Sequence, residues 1–332
     1  MSKPAGPRRP IPIIIDTDIG EDIDDLLVLA FALNSPEFEV LAVTTVDCDT
    51  AARSRIARRV TAAYGRGEIP VVAGYTRSMP QGNPPVPPLD GVTQNAVAPT
   101  EAHLPPGCPL GADDLIADLA AERPGEVYLL TIGSMTNAGM ALTRFPETAV
   151  KLAAIVTNGG GFGPGRETRI GWNLRYDPVA VAAVARSQAK WVLLPEGMAG
   201  LGGLTADDVE KIRTRGLETT EIIYLAIQEW RKNKRECGPD SVPHLSDLRC
   251  FAWLLASLPG GDLAGVIHAR PGRAYITVGP RGTLAELRVE PADDGPHLLG
   301  WTADAEKGAR LHDLFMERIL AEPIAGEYPA GR

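Results

Sequence analysis

One stretch constrains this chain more than any other: residues 11–33, IPIIIDTDIGEDIDDLLVLAFAL. Ile11 to Ile15 is an apolar run interrupted only by Pro12, and it predicts a buried strand. Six carboxylates follow within ten residues: Asp16, Asp18, Glu21, Asp22, Asp24 and Asp25, with Gly20 among them. The unbroken apolar run Leu26 to Leu33 then predicts a buried helix with Asp22 or Asp24 as its N-cap. Strand, acidic turn and helix make an α/β unit, and in open α/β sheets ligands bind beyond the carboxyl ends of the strands. A helix N-terminus favours one or two carboxylates. Six in one turn repel one another unless a cation joins them. All are hard oxygen donors with no Cys or His nearby, a set that suits Ca²⁺ or Mg²⁺ rather than zinc. The plainer alternative is a solvated acidic turn with ordinary helix caps.

The rest of the chain bounds the problem. Its 332 residues are 44% apolar, enough for a sizeable core, and are read as a single domain over 11–325 behind an unstructured, Pro-rich tail at 1–10. A net charge of −9 without a long basic run argues against nucleic acid as partner. No apolar run near the start is long enough for a signal peptide or membrane span. The four cysteines form no CxxC pair, so a cytoplasmic setting is expected. Strand-like runs at 37–46, 69–73, 127–132, 152–157 and 190–194 alternate with helical segments at 50–64, 111–122, 138–144 and from Pro178. That alternation predicts an α/β fold with an open, mostly parallel sheet and helices on both faces. The arginines of 50–64 read as a solvated basic face. Residues 77–109 and 159–171 read as long loops. Helices are expected at 207–215, 218–234 and 248–258. Short strands at 265–268, 273–278 and 284–289 precede a last helix at 303–320.

Polar residues cluster at the predicted strand ends: the acidic turn, Asp49, Asn137 with the backbone at Ile132, Asn158, Asn173 on the following loop, and Asp247 heading a late helix. This set resembles the inosine-uridine nucleoside hydrolases, a family of calcium-dependent N-ribohydrolases. The family's Asp-x-Asp-x-Gly-x-Asp-Asp turn stands here as DTDIGEDIDD, two residues longer. The likeness continues through TTV at 44–46, GSMTN at 133–137, NGGGF at 158–162 and WNLRYDP at 172–178. The resemblance implies a Rossmann-like sheet, a nucleoside or riboside as substrate, base salvage as the setting, and a homodimer or homotetramer. It also implies a Ca²⁺ ion held by Asp18, Asp25, Asp247 and the Ile132 carbonyl, with Asp22 as a possible extra ligand. Asp24 takes the place of the general base. Asp49, Asn158 and Asn173 fall where the family contacts the sugar. Trp172, Tyr224 and Trp230 are candidates to stack on a base.

These residue types suit N-glycosidic cleavage, which passes through an oxocarbenium-like sugar. A carboxylate can take a proton from the attacking water, and amides that grip the ribose supply orientation. Two positions depart from the family pattern. Gly171 replaces a Glu that contacts the 5′ end of the sugar, and Ser246 replaces a His that serves as leaving-group acid, with His244 close by as a substitute. The departures predict that inosine and uridine are poor substrates. A phosphatase of the haloacid dehalogenase type also opens with a strand and DxD, but wants Thr or Val where Gly20 stands. A non-catalytic calcium- or riboside-binding protein is the other alternative.

Overall fold

Alternate side chains of the first strand enter different cores, which is why its isoleucines are continuous. The computed structural model describes residues 9–79, 91–163, 171–195, 202–258, 260–280 and 284–324. In β1 (Ile11–Thr17), Ile13 and Ile15 pack into one hydrophobic core and Ile14 into the other. The same alternation recurs at Leu129 and Leu130, at Ile155 and Val156, and at Leu193 and Leu194. A sheet covered on both faces needs apolar residues at every position of its strands.

The strands β1, β2 (Phe38–Thr45), β3 (Val71–Ala73), β4 (Tyr128–Thr131), β5 (Ala154–Asn158), β6 (Trp191–Leu194), β7 (Ile267–Val278), β8 (Leu284–Pro291) and β9 (His297–Ala303) form one sheet in the order β3-β2-β1-β4-β5-β6-β9-β7-β8. Pairing is parallel from β3 to β9 and antiparallel between β9, β7 and β8. One face carries α1 (Asp24–Leu33), α2 (Thr50–Ala63), α8 (Ala206–Thr214), α9 (Glu218–Asn233), α10 (Leu248–Ala256) and α11 (Ala305–Leu320). The other carries α3 (Ala112–Glu122), α4 (Thr136–Arg144), α5 (Thr148–Lys151), α6 (Trp172–Tyr176) and α7 (Pro178–Arg186). The chain runs outward from β1 through β2 to β3, then returns to place β4 on the other side of β1. The order therefore reverses between β1 and β4, the point where such sheets open a crevice.

All ten residues of α1 are buried, as an all-round apolar helix requires. Phe31 packs on Phe38, Phe251 and Phe315 with ring centroids 5.5–6.3 Å apart. The far end of α1 is tied to the end of α11. Asn34 donates to the Arg318 carbonyl at 2.7 Å and accepts from the Ile324 amide at 2.8 Å.

Several expectations are corrected. The predicted breaks near Pro271 and Gly272 do not interrupt β7, which runs through both; pairing with β8 begins only at Gly272, so Pro271 lies outside that ladder. The strand β9 was not foreseen. Neither Asp22 nor Asp24 caps α1: Ile23 takes the N-cap position with no side-chain bond, and Asp24 is the first helical residue. The basic face of α2 is not uniformly solvated, because Arg53 and Arg58 are 1% and 6% exposed. The tail at 1–8, the loop segments 80–90 and 164–170, and 325–332 lie outside the described residues. Among the described residues no helix is long and apolar enough to cross a membrane.

Candidate active site

The acidic turn lies at the switch point, and its course is set by backbone approach. Gly20 has φ +108°, and a side chain there would meet Ile56 and Val92 at 2.9 Å. A Cβ at Gly133, on the loop after β4, would lie 2.8 Å from the Asp18 amide, so the two loops are in direct backbone contact. Across the turn, Thr93 Oγ1 donates to the carbonyls of Gly20 and Glu21, and Gln94 Nε2 donates to that of Asp22. The acidic turn is thus held by side chains from another loop.

A cavity of about 300 Å³ opens above this turn. Its lining includes Asp18, Glu21, Asp22, Asp24 and Asp25 from the turn, Ile132 after β4, Asn158 at the end of β5, and Trp172 and Asn173 from α6. Lys234, His244, Ser246 and Asp247 complete it. Oxygens of Asp24, Asp25 and Asp247 lie within 4.8 Å of one another, and all three side chains are buried. Asn158 Nδ2 donates to Asp247 Oδ1 at 2.9 Å, and Asn173 donates to the Ile132 carbonyl. Thr17 Oγ1 donates to Asp25. Asn158 Oδ1 is buried without a hydrogen-bond partner.

The electrostatics follow from this crowding. Burial pushes Asp25 well above the usual carboxylate range, and Asp18, Asp247 and Asp24 add to it. Asp247 is raised in the same way, by burial and then by Asp24. Burial also raises Asp18, against the pull of Arg53, and lifts Glu21 to about 7. At the other side of the cavity positive charge dominates. Burial opposes ionisation of Asp22, but its hydrogen bond to His244, the charge of that ring and Lys234 outweigh it and hold the carboxyl low. Hydrogen bonds to Asp22 and then Asp24 hold His244 up at about 11. His244 lies 3.4 Å from Asp22 Oδ2, 3.3 Å from Asp24 Oδ2 and 3.2 Å from Ser246 Oγ.

A second layer of acids sits beneath the first. Asp16 Oδ1 accepts from Thr44 Oγ1 and Asn137 Nδ2, both at 2.6 Å. Asp47 accepts from Ser134 Oγ at 2.7 Å. Asp47 and Cys48 both have left-handed backbone, φ 72° and 57°, a conformation that costs of order 1–3 kcal/mol for such residues. That kink turns Asp47 inward. Arg53 closes the layer by donating to the carbonyls of Asp47 and Ile19, and it lies 3.7 Å from Glu21.

Of the residues singled out in the sequence, Asp18, Asp22, Asp24, Asp25, Ile132, Asn158, Trp172, Asn173, His244 and Asp247 all border this one cavity. Asp49 does not: it is exposed, and its carboxylate caps α2 by accepting from the Ala52 amide at 2.9 Å. Trp230 is 3% exposed in the core, and Tyr224 packs against that core, so neither lines the cavity. The tight carboxylate group also contains Asp24 where Asp18 was expected. Glu21, named only as part of the acidic turn, borders the cavity too, and Lys234 does so without having been singled out. Lys234 ends a Lys-rich stretch of an amphipathic helix, a pattern indistinguishable in sequence from a solvated face.

Comparison with known proteins gives this arrangement a family. A profile described as "Inosine-uridine preferring nucleoside hydrolase" matches residues 13–309. The pyrimidine-specific ribonucleoside hydrolase RihA of Klebsiella pneumoniae is 30% identical over 258 residues, covering 74% of this chain and 79% of that protein. The RihA of Citrobacter koseri is 28% identical over the same length and coverage. Among solved structures, a plant nucleoside hydrolase superposes with TM-score 0.71 at 23% identity, covering 94% of this chain and 99% of the other. A purine-preferring ribonucleoside hydrolase from Gardnerella vaginalis gives 0.72 at 20% identity, with 93% and 98% covered. These structural likenesses bear on the fold; the profile match bears on descent, and it displaces the phosphatase and the non-catalytic binding protein as readings. The chain belongs to the inosine-uridine preferring nucleoside hydrolase family, and so to the N-glycosyl hydrolases.

Proposed function

We propose that the chain hydrolyses the N-glycosidic bond of a ribonucleoside or related riboside with the help of one divalent cation, calcium by the character of its donors. The observation that carries this reading is the convergence of Asp24, Asp25 and Asp247 in a cavity that also presents two amides, Asn158 and Asn173. The site fits a cation on its own chemistry: the buried carboxylates of Asp24, Asp25 and Asp247 face one another with oxygens within 4.8 Å. Asp25, Asp247 and the Ile132 carbonyl would hold it, with Asp18 bordering the same space. Bound there, the cation would supply positive charge that orients ribose hydroxyls and lowers the pKa of a nearby water.

The chain's own residues do the rest. Asn158 and Asn173 hold ribose hydroxyls and fix the anomeric carbon against the turn. Asp24, the first residue of α1, takes the proton of the attacking water. Its neighbour His244 faces the leaving group from the rim. Trp172 offers an aromatic wall. Gly171 leaves open the place of a carboxylate that would bind a 5′-hydroxyl, and Ser246 cannot protonate a purine near neutral pH. Common nucleosides should therefore be poor substrates beside ribosides with good leaving groups or altered 5′ ends.

The test is ribose release from uridine, inosine, a nitrophenyl riboside and a 5′-deoxy nucleoside, with chelator and after calcium is restored. Chelation should lower turnover by roughly three orders of magnitude, reversibly. No ribose release from any substrate, or full activity in chelator, would refute the reading. A kcat/KM of roughly 10⁶ M⁻¹s⁻¹ or above on inosine or uridine would remove the substrate restriction alone.

A further inference from the structure

The cavity has two unlike walls. Asp24, Asp25 and Asp247 make one, with Asn158 and Asn173 beside them. The other is built around Lys234, delivered by the end of α9. Its ammonium lies 3.4 Å from Asp22 Oδ2 and 3.8 Å from Glu21 Oε1, and its side chain is only 16% exposed. The surroundings fix that position. Asn233, the preceding residue, donates to the Thr93 carbonyl at 2.7 Å, and Thr93 in turn holds the carbonyls of Gly20 and Glu21. The extended acidic turn, the 93–94 segment and the end of α9 are therefore cross-linked, and the cation at their junction borders the cavity.

We propose that Lys234 is a specificity-determining residue that faces the leaving group and favours ribosides whose leaving group departs as an anion, such as a phenolate, over those that must be protonated to leave. This deepens the hydrolase reading above and rests on it. The sugar belongs to the acidic wall, so the leaving group points toward the cationic one. When the bond from C1′ to the phenolic oxygen breaks, the electron pair stays on that oxygen. The water oxygen bonds to C1′, and its proton passes to Asp24. The leaving anion takes a proton from solvent after release. Lys234 gives up no proton. Its charge is already in place where negative charge develops, and an interaction of that kind acts on the transition state more than on the bound substrate. The arrangement also accounts for the tolerance of Ser at 246: an anionic departure needs no acid there.

The experiment is steady-state kinetics of the full chain with calcium, wild type against Lys234→Met and Lys234→Gln, on inosine, whose base must be protonated to leave, and on aryl ribosides of graded leaving-group acidity. Melting temperature and calcium affinity are read alongside. Both variants should lose about a hundredfold in kcat on aryl ribosides of weakly acidic phenols, progressively less as the phenol becomes more acidic, and less than about threefold on inosine, with KM little changed. The dependence of kcat on leaving-group pKa should steepen accordingly. An equal loss across the whole series, or losses that track lowered calcium affinity, would show that Lys234 only holds Glu21 and Asp22 in place and would overturn the proposal. A wild type that releases no ribose from any riboside brings down the hydrolase reading itself; an active wild type with uniform losses removes only the role of Lys234.

Discussion

Two sets of buried carboxylates lie around the acidic turn, and they differ in what faces them. Asp16 and Asp47 are as inaccessible as Asp25 and Asp247, and burial raises all four. Asp16 and Asp47, however, meet neutral donors: Thr44, Asn137 and Ser134. Asp25 and Asp247 also accept from neutral donors, Thr17 and Asn158, but their oxygens in addition lie within 4.8 Å of each other and of Asp24. A buried acid held by hydroxyls and amides is part of the scaffold. A buried acid held against other acids is a site waiting for positive charge. Depth alone does not separate the two; the partner does.

The sharpest way to break this comparison is to alter one immediate neighbour of each set. Asp24→Asn keeps size and removes basicity, so turnover should fall by two orders of magnitude or more while the fold stays intact. Asn137→Ala strips the donor from Asp16 Oδ1 and the acceptor from the Tyr75 amide. It should lower stability by about 1–3 kcal/mol per unpaired group, seen in denaturant titration, and leave turnover of the folded fraction within about tenfold. If Asp24→Asn behaved like Asn137→Ala, the division between site and scaffold would be wrong. Calcium titrations of Asp24→Asn and Asp18→Asn would then say which of the two carboxylates belongs with the ion.

A weaker effect is expected from pH. Asp16 and Glu21 are raised from 3.8 and 4.5 to about 7 in the folded chain. Folded protein therefore keeps protons that unfolded protein has already released. Their stabilising contribution is whole below about pH 4 and is lost as pH rises through about 7. Asp25 and Asp247 act in the same direction. Chelated protein should melt lower at pH 8 than at pH 5, and calcium should raise the melting temperature more at pH 8. Equal melting of the chelated protein at both values would mean that the acids do not retain their protons. The smallest effect belongs to Asp49→Ala, which loses the cap of α2 at a cost of about 1 kcal/mol. KM and kcat should stay within about twofold; a large rise in KM would return Asp49 to the sugar site.

Much of this was readable in the chain. β1, the acidic turn and α1 announce themselves because a both-faces-buried strand and an all-buried helix need continuous apolar runs. Asn158, Asn173 and Asp247 follow from strand ends and helix starts. What was hidden depends on partners remote in sequence. Pro271 and Gly272 look like a turn, and only the late start of pairing with β8 lets a strand run through them. β9 contains Gly300, and it is stabilised by β6 and β7 rather than by its own pattern. Arg53 and Lys234 resemble ordinary surface cations until the folded acidic turn is set beside them. Asp47 and Asp49 stand two residues apart with the same chemistry, and a left-handed backbone kink decides which turns inward.

The tether between Asn34 and the end of α11 has a consequence for how the molecule is made. Its partners are 284 residues apart, and at ribosomal speeds of about 5–20 residues per second that interval lasts roughly a quarter of a minute to a minute. Throughout it, the helix that follows the acidic turn is already synthesised but lacks the Phe315 ring and the C-terminal carbonyls that finish its burial. Asp247 and the strand β9 also arrive late. The nascent chain therefore carries an apolar helix and incomplete sheet edges for most of its synthesis, and the burial of α1 is completed only once α11 has been made. Expression yield, more than the stability of the finished enzyme, should answer to substitutions at this seam.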